Sequence, residues 1–218
     1  MTNPLTPHLL RGGIVLIDPR TGSAQRVIVL QYNPDSISRS FQIKGVGEST
    51  DRSQALRLRG PAVETIKVEA ELDATDQLEF PDENQEVARH GLGPVLAAIE
   101  GIVNPSVAQL RNVDDLAGRG TLEIAPMETP LPLFVWSRNR VLPVRINDLS
   151  ITEEAFDTRL NPIRAKVSLG LRVLSIDDLG FRHRGGAIYM AALGAREALA
   201  RRSAVGTFGA LGIEGIPS

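Results

Sequence analysis

The chain has no cysteine. That absence excludes disulfides, thiol nucleophiles, zinc–cysteine sites and iron–sulfur clusters together, and it fits a reducing compartment. Aromatic residues are scarce, with one Trp, two Tyr and six Phe in 218 residues. A core must therefore be built mainly from Val, Leu, Ile and Ala. No apolar run approaches the roughly 20 residues needed to span a bilayer. The opening MTNPLTPHLLRGG lacks the basic-then-apolar pattern of a signal peptide. Neither sign of charge dominates: 24 Lys and Arg stand against 26 Asp and Glu, a net charge of −2. That balance gives no chain-wide attraction to nucleic acid or to an anionic membrane. Together these absences predict a soluble protein, cytoplasmic at synthesis, with no nucleic-acid partner and no direct membrane insertion.

Apolar residues make up 42% of the chain, enough for a real core. The 20 Gly and 14 Pro imply many turns, as in a β-rich architecture. Two β-branched runs, Ile14–Ile17 and Gln25–Tyr32, flank Asp18-Pro19-Arg20-Thr21-Gly22 and predict a hairpin. A strand is expected from Ile37 to Val46, although Arg39 interrupts its apolar row of Ile37, Phe41 and Ile43. From Thr65 the pattern sharpens: Ile66, Val68, Ala70 and Leu72 alternate with Lys67, Glu69 and Glu71, the mark of a strand with one wet face. Leu92, Val95, Leu96, Ile99 and Val103 then recur at helical spacing, with a break expected at Gly91, Gly93 and Pro94. Val107, Leu110, Val113 and Leu116 continue a three-residue rhythm.

Leu133 to Trp136 reads as a buried strand, followed by a polar turn at Ser137–Arg140. Val144 and Ile146 share a face, whereas Leu149 and Ile151 share one of opposite parity. The slip at Asn147-Asp148 predicts a β-bulge. Glu153 to Pro162 reads as a charged connection. Ile163 to Val173 alternates without interruption and is the clearest strand of the chain. Ala187 to Arg202 has helical spacing, and the end beyond Ser203 is Gly-rich and apolar. The expected organisation is a β domain over residues 1–183, a helical insertion at about 84–118, and a tail over 184–218.

The chemistry-bearing residues make no recognised constellation. His8, His90 and His183 lack a metal-ligand spacing, and no nucleophile elbow or phosphate loop is present. The acidic stretch Asp73–Glu83 lacks the spacing and central Gly of a calcium loop. Arg52, Arg57 and Arg59 sit among Glu48 and Asp51 without interleaved aromatics, which suits a solvated loop better than a nucleic-acid site. The expectation is a protein with no catalytic, cofactor-binding or metal-binding residues.

Four blocks carry a resemblance. Leu30-Gln31-Tyr32-Asn33-Pro34-Asp35 resembles the Gln-Tyr/Phe-Asn-Pro motif of tube-type proteins of contractile injection systems. Glu71–Asp76, Phe134–Ile146, and Leu149–Asp157 with Leu160–Ala165 resemble their second, third and fourth blocks, in order. The resemblance implies the phage tail-tube fold, shared with the Hcp tube protein of type VI secretion. That fold is a barrel-like sandwich of two packed antiparallel sheets with a flanking helix. It further implies a hexameric ring, with the inner-tube protein and spike or baseplate proteins as partners. The inserted helices and tail exceed what a plain tube ring needs, so a baseplate-proximal tube initiator or adaptor is expected over the repeated inner-tube subunit. A β-sandwich hydrolase or glycan-binding domain is the alternative from another class. The expected interface residues are Glu153, Glu154, Asp157 and Arg159 in the charged connection, and Tyr189, Leu193 and Phe208 in the tail. The tail carries apolar residues but too many glycines to fold alone, so a partner is expected to order it.

Overall fold

A computed structural model of the chain describes residues 10–45, 57–118, 129–203 and 206–216. His8, Glu48, Asp51 and Arg52, on which expectations were placed, lie outside the described residues.

The chain is mainly β with several helices. Strands β1 (Gly13–Ile17) and β2 (Ala24–Val29) form the expected hairpin. Its turn is set by Asp18, whose carboxylate accepts from the backbone N–H groups of Arg20 and Thr21 at 2.8 and 3.0 Å. Strand β3 (Ile37–Gln42) ends before the expected Val46, which lies outside the described residues, and an isolated bridge joins Gly45 to Leu58. Strand β4 (Val63–Asp73) begins two residues before the recognised alternation. The helical segment contains α1 (Thr75–Leu78), α2 (Gln85–His90), α3 (Gly93–Val103) and α4 (Val107–Gly118). It starts earlier than the expected residue 84, with the Asp73 carboxylate accepting from the Thr75 backbone N–H and hydroxyl just ahead of α1.

Strands β5 (Leu131–Ser137), β6 (Arg140–Phe156) and β7 (Pro162–Val173) follow. A short helix α5 (Ile176–Leu179) and the tail helix α6 (Arg184–Ala200) close the fold, with a 3-10 turn at Phe208–Leu211. His183 caps α6, its Nδ1 accepting from the Gly185 N–H at 3.0 Å.

The two expected sheets are halves of one. All seven strands join in the order β2-β1-β5-β6-β7-β4-β3, each pair antiparallel. The joint is β6, whose 17 residues pair with β5 along their first part and with β7 along most of their length. A bulge between Ile146 and Asp148 lets the strand bend, and it falls where the parity of the sequence slips. The halves thereby face each other. Ile14, Leu16 and Phe134 from one share a core with Ile66, Val68, Val167, Leu169 and Leu171 from the other. Leu92, Leu96 and Ile99 close that core from the helical segment. Ile17, Leu131 and Leu133 make a second, smaller cluster, against which Ile188 of α6 packs.

Gly91 is the hinge of the helical segment. Its φ of +56° and ψ of −134° suit glycine, and a Cβ there would lie 2.3 Å from the Pro162 carbonyl oxygen. That approach allows the Leu92 N–H to donate to the same carbonyl at 2.8 Å, tying the helices to the start of β7.

Candidate interaction surfaces

The expected connection Glu153–Pro162 is shorter than the sequence implies. Glu153 and Glu154 belong to β6, opposite Ala165 and Arg164 of β7. Glu154 pairs with Lys166 at 3.0 Å and raises its ammonium pKa above the usual lysine value. Glu153 is exposed and has no ion pair among the described residues.

Only residues 157–161 form the turn, and Asp157 organises it. Its carboxylate accepts from the Arg159 and Asn161 backbone N–H groups at 2.7 and 2.8 Å and from Asn161 Nδ2 at 2.8 Å. The Asn161 side chain, above all, holds the Asp157 carboxyl below its ordinary range. Asn161 Nδ2 also donates to the Arg89 carbonyl at 3.1 Å, fixing α2 beside the hairpin end. Asp157, expected to meet a partner, therefore spends its carboxylate on its own turn. The surface left at this end includes Glu153, Phe156, Arg159 and Leu160, with Leu160 at a φ of +66° and 79% exposed.

In the tail, Tyr189 is 6% exposed and lies in the main core. Burial raises the pKa of its hydroxyl. Leu193 is half-buried against the same core. These two expected interface residues are thus engaged by their own domain. The helical half of the tail is ordered within the chain, contrary to the expectation that a partner orders it. Phe208 remains exposed in the 3-10 turn, beside Leu211. Helix α4 buries no residue, and its stripe of Val107, Leu110 and Leu116 faces solvent.

The most unusual chemistry lies at the opposite end of β6. Glu64 sits on the core-facing side of β4 and is 3% exposed. Burying a lone carboxylate is costly, and two guanidinium groups offset that cost here. Arg39 Nε and Nη2 both approach Glu64 Oε1 at 2.7 Å, and Arg196 Nη2 lies 2.8 Å from Oε2. Arg39 also lies over the Phe41 ring, 5.0 Å from its centroid. Arg140 opens β6 on the same side as the buried Leu142 and Val144. Burial lowers its pKa, and repulsion from Arg39 and Arg196 adds to the effect, while Glu64 opposes it. The Arg140 side chain makes no hydrogen bond or ion pair among the described residues. One carboxylate thus faces three guanidinium groups. Glu64, Arg140 and Arg196 did not stand out in the sequence. The available signals were Arg39 in the apolar row of β3 and an acid two residues before Ile66, on the apolar parity of β4.

The outer face of the sheet carries Lys67, Glu69 and Glu71 on β4, Arg164, Lys166 and Ser168 on β7, and Ser150 and Thr152 on β6. Residues 32–36 form one wall of an open groove of about 640 Å³ over this face. Among the described residues, no three His, Asp or Glu side chains group to hold a metal ion. No described helix is long and apolar enough to cross a membrane.

No protein-family profile matches the chain. No curated protein matches it either. Among solved structures, it is similar to a chain in the virion of a native gene transfer agent particle. The match has 12% identity and a TM-score of 0.28, and covers 75% of this chain and 91% of that one.

Proposed function

We propose that the chain is a structural subunit of a contractile injection particle. Six copies form a ring that joins the spike and baseplate to the inner tube and starts tube assembly. The ring partners are further copies of the chain, the inner-tube protein and spike or baseplate proteins. The reading assigns the chain no catalysis.

The observation that carries it is the pair of open sheet edges. Strands β2 and β3 end the seven-stranded order, and among the described residues each has one unpaired side. Val27 and Val29 on β2 are 60% and 52% exposed. Open edges bearing apolar residues invite pairing, and a closed ring removes them. The polar outer face of β4, β6 and β7 suits a water-filled lumen. The four resembling blocks support the same reading. They fall on the joints of the sheet: the segment after β2, the end of β4, the β5–β6 hairpin and the β6–β7 turn. The inserted helices and tail favour the adaptor layer over the repeated tube subunit.

Electron microscopy of the chain expressed with its spike proteins tests this reading. Class averages should show six-fold rings, or a six-fold layer within a particle. Monomers alone at high concentration, with spike present, would overturn it.

A further inference from the structure

The surplus of positive charge at the Glu64 end of the core needs an occupant. Arg39 and Arg196 are matched to Glu64, leaving the Arg140 side chain half-buried without an acceptor among the described residues. Such a group gains strongly from an added carboxylate, because both charges then sit partly out of water. The other end of the same strand presents one. Glu153 stands thirteen residues beyond Arg140 on β6, exposed and without a cation of its own among the described residues, whereas its neighbour Glu154 is held by Lys166. The surroundings also match. Phe41 is half-exposed beside Arg39, and Phe156 and Leu160 are exposed at the hairpin end that follows Glu153. Each charged centre therefore has an apolar rim able to exclude water, the arrangement that makes a central polar contact effective.

Within one chain the two ends cannot meet. Thirteen residues of strand span at most about 43 Å at roughly 3.3 Å per residue, and the hairpin projects away from the arginines. The geometry points to a head-to-tail contact between copies, in which Glu153 of one copy enters the Arg39, Arg140 and Arg196 cluster of the next. A contact of this heterologous kind repeats from copy to copy and generates rings or stacks. The inference rests on the assembly reading above and supplies residues for one of its contacts.

The lack of cysteine gives the test a clean background. Full-length Arg140→Cys and Glu153→Cys proteins are mixed and oxidised, with Arg140→Cys plus Glu83→Cys as the control pair. The mixture should give a cross-linked heterodimer in at least about tenfold excess over the control. Equal yields would overturn the proposal. In parallel, sedimentation of Glu153→Arg, an exposed change that leaves the fold intact, should show self-association weakened about tenfold. Mixing it with Arg140→Glu should restore association if that variant keeps its circular dichroism spectrum. Unweakened association of Glu153→Arg also overturns the proposal. Rings without the cross-link would sink this contact and leave the ring standing. The cross-link without rings would do the reverse.

Discussion

The side chain of Gln31 grips the backbone of Asp73 from both sides. Its Nε2 donates to the Asp73 carbonyl at 2.6 Å, and its Oε1 accepts from the Asp73 N–H at 2.9 Å. An amide is the side chain suited to this, since it offers a donor and an acceptor in one plane. The pairing locks the segment after β2 to the end of β4. It thereby ties the first two sequence blocks together across 42 residues.

Replacing Gln31 with Ala should leave both backbone groups of Asp73 without protein partners in a half-buried place. The expected loss is about 2 kcal/mol. For a chain of this size that lowers Tm by roughly 4–8 °C in a calorimetric scan. Gln31→Glu should lose most of the same stability, because a carboxylate cannot donate to the carbonyl. An unchanged Tm in both variants would remove the clamp from the account.

Glu64→Ala should destabilise by about 3 kcal/mol in urea unfolding, the low end for breaking a buried pair because Arg39 and Arg196 keep some contact with water. Adding Arg39→Leu to the same protein should recover part of the loss, since one uncompensated charge is removed. Additive losses in the double variant would show that the pair does not act as a unit.

Acid should open the turn at 157–161 late. The folded carboxyl of Asp157 is depressed, so its contribution is complete above the ordinary Asp value and disappears only as pH falls through the lower folded value. Hydrogen exchange at the Arg159 and Asn161 amides, followed downward in pH, should stay protected below the point where an ordinary Asp protonates. Asp157→Asn should remove that pH dependence. Protection lost already at pH 4–5 in the parent protein would contradict the assignment.

Deleting everything after Gly186 should unfold more than a tail. The truncation uncovers the core where Tyr189 and Ala192 lie, removes Ile188 from the second cluster and leaves Glu64 without Arg196. A broad, non-cooperative melt or insoluble protein is expected. A sharp melt near the parent Tm would show that α6 is dispensable to the domain.

The strands were the most legible part of the sequence, because period-two alternation records burial directly. Ile163 to Val173 alternates, and β7 buries Ala165, Val167, Leu169, Leu171 and Val173. The slip at Asn147-Asp148 was legible for the same reason. The full length of β6 was not, because Glu153 and Glu154 read as loop residues when polar on both faces. The charged core end was half legible. Arg39 stood out as an interruption, but its explanation lies on β4, β6 and α6, and one sequence carries no record of which distant residues meet. The tail misled because the glycines from Gly194 to Gly215 were weighed as entropy, while the packing role of Gly185 and Gly186 at its start is not legible in sequence. These two admit close packing: a Cβ on Gly186 would lie 2.1 Å from the Gly180 carbonyl oxygen.

The bulge in β6 separates two properties that usually travel together. Ile146 pairs with Leu171 and Asp148 with Gly170, so Asn147 is a supernumerary residue that the ladder skips. Excising Asn147 would leave every cross-strand partner where it is and would even complete the hydrogen-bonding pattern. What would vanish is curvature. A straightened β6 would hold its neighbours flat, and the apolar linings now pressed together would open like a book. Such a variant would keep its strand content by circular dichroism while binding hydrophobic dyes and aggregating. Shape at this joint is carried by a residue that its pairing scheme does not need.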